Sequence, residues 1–102
     1  MAKLIALYRK PSNTEAFDDH YFNKHLPIAK KIPGLRGYEV STGPIATPQS
    51  GSEYHLVALL EFDTLADIQK ALSSPEGQAA GSDLANFAQA GVDLLVFDSK
   101  EI

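Results

Sequence analysis

Three short stretches of the chain are apolar at every position: Leu4-Ile5-Ala6-Leu7, Leu56-Val57-Ala58-Leu59-Leu60 and Leu94-Leu95-Val96-Phe97. Runs of this length and composition, bounded by turn residues, read as strands. Successive side chains of a strand point to opposite faces, so a sheet with one wet face alternates apolar and polar residues. These strands do not alternate. Both faces of their sheet must be covered.

The covering elements can be read along the chain. Lys3 to Arg9 forms the first strand, stopped by Lys10-Pro11. Ser12 and Glu15 have capping-box spacing, and Phe17, Tyr21, Lys24/His25 and Ile28 follow as one stripe of a helix. Pro27 is expected to break or re-aim that helix, because it lacks an N–H and disfavours a helical Leu26. A short turn then runs through Ile32 to Pro33-Gly34. Leu35 to Thr42 reads as the second strand, Gly43 to Ser52 as a loop, and Tyr54 to Phe62 as the third strand. Thr64 and Asp67 cap a helix carrying Leu65, Ile68, Ala71 and Leu72. Ser74-Pro75-Glu76 opens another, running to about Gln89 with Ala80, Leu84, Phe87 and Ala88 inward. Gly91 ends it, and Val92 to Phe97 is the last strand.

The order βαββαβ predicts a single α+β domain over 1–102, a ferredoxin-like antiparallel sheet with helices on one face. No helix is left over for the second face. A second copy of the chain is the expected cover, giving a homodimer; an exposed apolar sheet would invite aggregation. In the third strand, alternation assigns Tyr54, Leu56, Ala58, Leu60 and Phe62 to the helix side. His55, Val57, Leu59 and Glu61 fall on the other, where Glu61 is expected to pair with a lysine or arginine.

Charge and composition exclude several functions. The net charge of −4 argues against nucleic-acid or anionic-membrane partners, which call for a basic face. The chain has no cysteine, so disulfide and thiol chemistry are ruled out. No segment approaches the roughly 20 apolar residues of a membrane span, and the first residues lack the pattern of a signal peptide. The cytoplasm is the expected location. No phosphate- or dinucleotide-binding glycine motif occurs, so no stored cofactor is expected. His20 and His25 are five apart and diverge by roughly 140° on an α-helix, a poor arrangement for a metal. His20, beside Asp18 and Asp19, is expected at the surface or an edge. His25 shares the inward stripe with Phe17, Tyr21 and Ile28, next to the loosened backbone at Pro27. Such an imidazole can exchange a proton near neutral pH, or simply bond a free carbonyl.

A set of stretches in order along nearly the whole chain resembles the EthD family of the dimeric α+β barrel superfamily. They are Ala16-Phe17 through Tyr21, His25-x-Pro27-x-Ala29, Ile32-Pro33-Gly34-Leu35, Tyr38-Glu39-Val40, Glu61-Phe62-Asp63, Ser74-Pro75-Glu76-Gly77-Gln78-Ala79-Ala80, and Asp83-Leu84-x-Asn86-Phe87. The family is named for a protein required alongside a cytochrome P450 system in ethyl tert-butyl ether degradation. The resemblance implies two sheets packed into a barrel and, in each subunit, a pocket between helices and sheet for a small, partly apolar organic metabolite. Wider superfamily members include cofactor-free monooxygenases, muconolactone-type isomerases and polyketide cyclases. His25 matches the family's pocket histidine and is the candidate catalytic acid or base. Tyr21, Tyr38 and Asn86 are candidates to orient a ligand, with Phe17, Phe62 and Phe87 shaping its pocket. Two readings stay open: a cofactor-free enzyme, and a non-catalytic binding or accessory protein of an oxygenase system.

Overall fold

The structure is a computed structural model that describes residues 1–102. Its elements are β1 (Ala2–Arg9), α1 (Thr14–His20), a π-helical turn (Tyr21–His25), α2 (Leu26–Ala29), β2 (Gly37–Val40), β3 (Tyr54–Phe62), α3 (Leu65–Ser73), α4 (Pro75–Phe87) and β4 (Val92–Asp98). The four strands form one antiparallel sheet in the order β2-β3-β1-β4, with the helices packed on one face. This is the ferredoxin-like α+β arrangement that the element order predicts.

Strand parity decides which side chains meet the helices. Ala2, Leu4, Ala6 and Tyr8 of β1 are buried with Leu56, Ala58, Leu60 and Phe62 of β3. They pack against Phe17, Tyr21, Ile68, Ala71, Ala80 and Phe87 from the helical layer. One irregularity reverses the expected faces at the start of β3. Tyr8 pairs with Leu56, but Arg9 pairs with Tyr54, so His55 is an extra, bulged residue. The bulge turns His55 toward α1, where its ring meets Phe17 edge-on and Nε2 bonds Asp18 at 2.8 Å. Tyr54 turns the other way, under Arg9 and Asp93.

Other boundaries shift for local reasons. Asn13, not Ser12, caps α1; its side-chain oxygen accepts from the Ala16 N–H at 3.0 Å, and asparagine caps as well as serine does. β2 is shorter than Leu35–Thr42 because the chain turns at Gly34 (φ +82°) before it and Gly43 (φ +71°) after it. α4 stops at Phe87, where Ala88 leaves helical geometry, two residues short of Gln89. Pro27 does not break the first helix. The Leu26 N–H instead reaches back five residues to the Tyr21 carbonyl, and this π turn inserts the slack that lets proline open α2 without disrupting it.

The join between α3 and α4 is tight. Ser74 ends one helix and caps the other: its hydroxyl accepts from the Gly77 N–H at 3.0 Å and donates to the Ala71 carbonyl at 2.6 Å. A Cβ on Gly77 would lie 1.9 Å from that same carbonyl oxygen. Nothing lies within 4 Å of a Cβ on Gly81, one turn later.

These two glycines should therefore respond oppositely to alanine. Gly81→Ala is expected to raise stability by about 1 kcal/mol through helix propensity. Gly77→Ala should lower it and loosen the corner. Urea denaturation of the pair checks this, and equal effects would contradict the close approach.

Candidate functional site

The helical layer splits into a packed half and an open half. In the packed half, Tyr8 meets Phe17 and Tyr21 edge-on, each with ring centroids 5.5 Å away, and Phe87 at 5.6 Å. The open half is a cavity of about 80 Å³. It exists because small residues face each other across the layer. Ala6 and Ala58 are cross-strand partners at the sheet centre, while Ala29, Gly77, Ala80 and Gly81 lie opposite. The space exceeds the roughly 10–15 Å³ that one water needs, and it opens to solvent beside the exposed Leu72 and Leu94, so a bound molecule can extend beyond it.

His25 stands at the boundary, its ring 5.3 Å from Tyr21 and 4.8 Å from Phe87, and it lines the cavity. Its Nδ1 bonds the Asp83 carboxylate of α4 at 2.9 Å. His20 Nε2 reaches the same carboxylate at 2.9 and 3.0 Å, and Asn86 Nδ2 donates to it at 2.9 Å. Of the two places expected for His20, surface or edge, it takes the edge: it borders an open surface groove, while its ring stacks on Phe87 and is mostly covered. On a regular α-helix two residues five apart diverge. Across the π turn, whose hydrogen bond spans five residues, both imidazoles come to one side and share one acceptor.

The electrostatics of the cluster are consistent with an ionised Asp83 beside a neutral His25. Burial pushes the Asp83 carboxyl up, but hydrogen bonds from Asn86, His20 and His25 together outweigh it and hold it below the usual carboxylate range. For His25 burial dominates and pushes the imidazole below its ordinary 6.5, against the opposing pull of Asp83. With an ionised acceptor at Nδ1, the neutral ring carries its proton there, and Nε2 is left as the basic nitrogen. Nε2 is not sealed from solvent without a partner.

The remaining candidates fall into three groups. Tyr38 lines the cavity, and its hydroxyl bonds that of Tyr21 at 2.7 Å. Phe17 and Phe87 belong to the packed aromatic half and also border an open surface groove, as Asn86 does beyond its bond to Asp83. Phe62 is buried in the core, away from the cavity. Glu61 pairs with Lys3 at 3.2 Å on the far face of the sheet. Asp83 and Glu61 are the two carboxylates that the sequence offers as neighbours of His25, and Asp83 is the one that reaches it; Tyr8 is a site residue that the sequence assigns no role.

A small ferredoxin-like domain with an apolar cavity and a carboxylate-oriented histidine is the class this geometry defines. The chain belongs to the EthD family: residues 9–91 match the EthD domain. It is 35% identical, over all of its length and 98% of the relative's, to an uncharacterised 11.0 kDa protein from the thcB–thcC intergenic region of Rhodococcus erythropolis. An EthD family protein from Bacillus halodurans is 38% identical, with 98% and 99% of the two chains covered and a TM-score of 0.90. Two more distant structures share the fold. One is a dimeric ferredoxin-like protein from Bacteroides fragilis (23% identity, 96% and 95% covered, TM-score 0.66). The other is SnoaB, a cofactor-independent oxygenase from Streptomyces nogalater (11% identity, 99% and 94% covered, TM-score 0.69). No helix of the chain is long and apolar enough to cross a membrane.

The linked shifts fix a direction for pH. A histidine whose folded pKa lies below 6.5 binds fewer protons than it does in the unfolded chain, so its contribution to stability is lost as pH falls below 6.5. His25→Gln removes that contribution. The stability of the native protein relative to this variant should decline from pH 7 to pH 5 in thermal denaturation; a rise would contradict the lowered pKa. Asp83→Ala, which strands three donors, is expected to cost about 2–3 kcal/mol at pH 7.

Proposed function

We propose that the protein is a homodimeric, cofactor-free EthD-family enzyme that binds a small, partly apolar organic metabolite in the cavity, with His25 as its general base. The observation that carries this reading is the pairing of His25 Nδ1 with an ionised Asp83 while the ring borders an otherwise apolar cavity. A carboxylate in that position orients an imidazole and stabilises the imidazolium that forms when Nε2 takes a proton. A low dielectric around the base strengthens both effects. SnoaB, as a cofactor-independent oxygenase, is a precedent for such chemistry on this fold, and its likeness extends to the fold alone.

The homodimer rests on the far face of the sheet. Ile5, Leu7, Val57, Leu59, Leu95 and Phe97 share that face, and the last two are 49% and 39% exposed in the single chain. Lys3–Glu61 closes one end of the patch and Arg9 with Asp93 and Glu53 the other. An apolar centre with a charged rim is the anatomy of a protein interface. The Bacteroides neighbour, itself dimeric, fits a second copy as the occupant.

A test of the base needs no knowledge of the natural substrate. Exchange of the α-protons of a small cyclic ketone in D₂O, followed by NMR, should be accelerated by the native protein and slowed roughly 10²–10⁴-fold in His25→Gln. Absence of acceleration by the native protein would favour the non-catalytic binding reading. For the assembly, native protein should sediment as a dimer, and Leu59→Lys should dissociate or unfold it. A stable native monomer at micromolar concentration would overturn the two-sided burial.

A further inference from the structure

The four tyrosines differ in what their hydroxyls do. Tyr21 and Tyr38 bond each other at 2.7 Å, and Tyr54 donates to Asp93 at 3.2 Å. The Tyr8 hydroxyl has no protein partner, although the residue is only 2% exposed and its ring is clamped by Phe17, Tyr21 and Phe87. What little of the side chain stays accessible borders the cavity. No enclosed side-chain polar atom of the structure lacks a partner, so this hydroxyl is not sealed in: it opens to the cavity, where water or a ligand oxygen can meet it. The open valence points to a ligand.

We infer that Tyr8 and Tyr38 together form an oxygen-binding subsite beside His25, selecting an enolisable ketone or a phenol over an apolar molecule of the same shape. This inference rests on the cavity being the binding site, as proposed above. Tyr8, Tyr38 and His25 are the polar side chains of an otherwise aliphatic lining. A ligand carbonyl or phenolic oxygen accepts the Tyr8 O–H and the Tyr38 O–H. Tyr21 supports Tyr38 from behind through their mutual hydrogen bond. With a ketone, His25 Nε2 takes the α-proton, the C–H electron pair moves to the carbonyl oxygen, and the resulting enolate oxygen is held by the two hydroxyls. Reprotonation from the imidazolium closes the cycle. Burial pushes both phenols above their ordinary range, which keeps them protonated as donors.

Phenol and toluene, nearly equal in shape, are the probes. Titrated into the native protein and followed by NMR, phenol should bind about tenfold more tightly than toluene, as one or two hydrogen bonds to a buried oxygen imply. Tyr8→Phe should lose most of that preference and leave toluene binding unchanged. A phenol preference that survives Tyr8→Phe, or no preference in the native protein, overturns the subsite while leaving the cavity as a binding site. Failure of both probes to bind overturns the cavity reading and the subsite with it. The thermal midpoint supplies an independent check. Tyr8→Phe should equal or exceed the native protein, and a fall of several degrees would show that the hydroxyl has a structural partner.

Discussion

The helical layer is held in register by one carboxylate. Asp83 sits on α4 and accepts from His20, His25 and Asn86, so it ties the last long helix to both ends of the π turn that joins α1 to α2. A buried charge is costly unless its oxygens are all engaged, and here they are. The apolar core supplies most of the stability, but area burial is non-directional and tolerates sliding. The Asp83 hydrogen bonds do not. They specify which way the two imidazoles face, and through them where the basic nitrogen of His25 points.

The cavity depends on that same anchoring. Large aromatic rings fill the layer on one side of His25, and alanines and glycines leave it open on the other. Small residues at facing positions would normally let the helices settle onto the sheet and close the gap. The α3–α4 corner, fixed by Ser74 and the close approach at Gly77, and the Asp83 cluster, fixed by hydrogen bonds, hold α4 at both ends. The void between them is thereby propped rather than collapsed. The arrangement is preorganised: the oriented imidazole, its carboxylate and the empty space beside them are set by the fold itself.

Much of this was legible in the sequence. Apolar runs on both parities of Leu56–Leu60 and Leu94–Phe97 announced a sheet that needs cover on two faces. Ser74-Pro75-Glu76 marked the start of α4, and Pro27 marked an anomaly beside His25. The nature of that anomaly was not legible, because proline marks a disturbed helix without saying whether the chain breaks or widens into a π turn, as it does here with the Leu26 N–H on the Tyr21 carbonyl. With the π turn went the position of His20, which an α-helical wheel sends to the wrong side. The bulge at His55 was hidden for a similar reason: strand alternation has no way to announce an inserted residue. Asp83 and Tyr8 lie 58 and 17 residues from His25 in the chain, so their convergence is a product of packing; the sequence offered Asp83 and Glu61 alike as carboxylates for His25, and only the fold chooses between them.

The site turns on a His25 that burial keeps neutral against the pull of Asp83, while Asp83 fixes its proton on Nδ1 and leaves Nε2 as the basic nitrogen of a ring that lines the cavity. A long-range ¹H–¹⁵N spectrum of the histidine side chains at pH 7 reads that state without any ligand. The expected pattern for His25 is a protonated Nδ1 and an unprotonated, strongly downfield Nε2. The opposite tautomer, or an imidazolium with both nitrogens protonated, would contradict the account and remove His25 as the base.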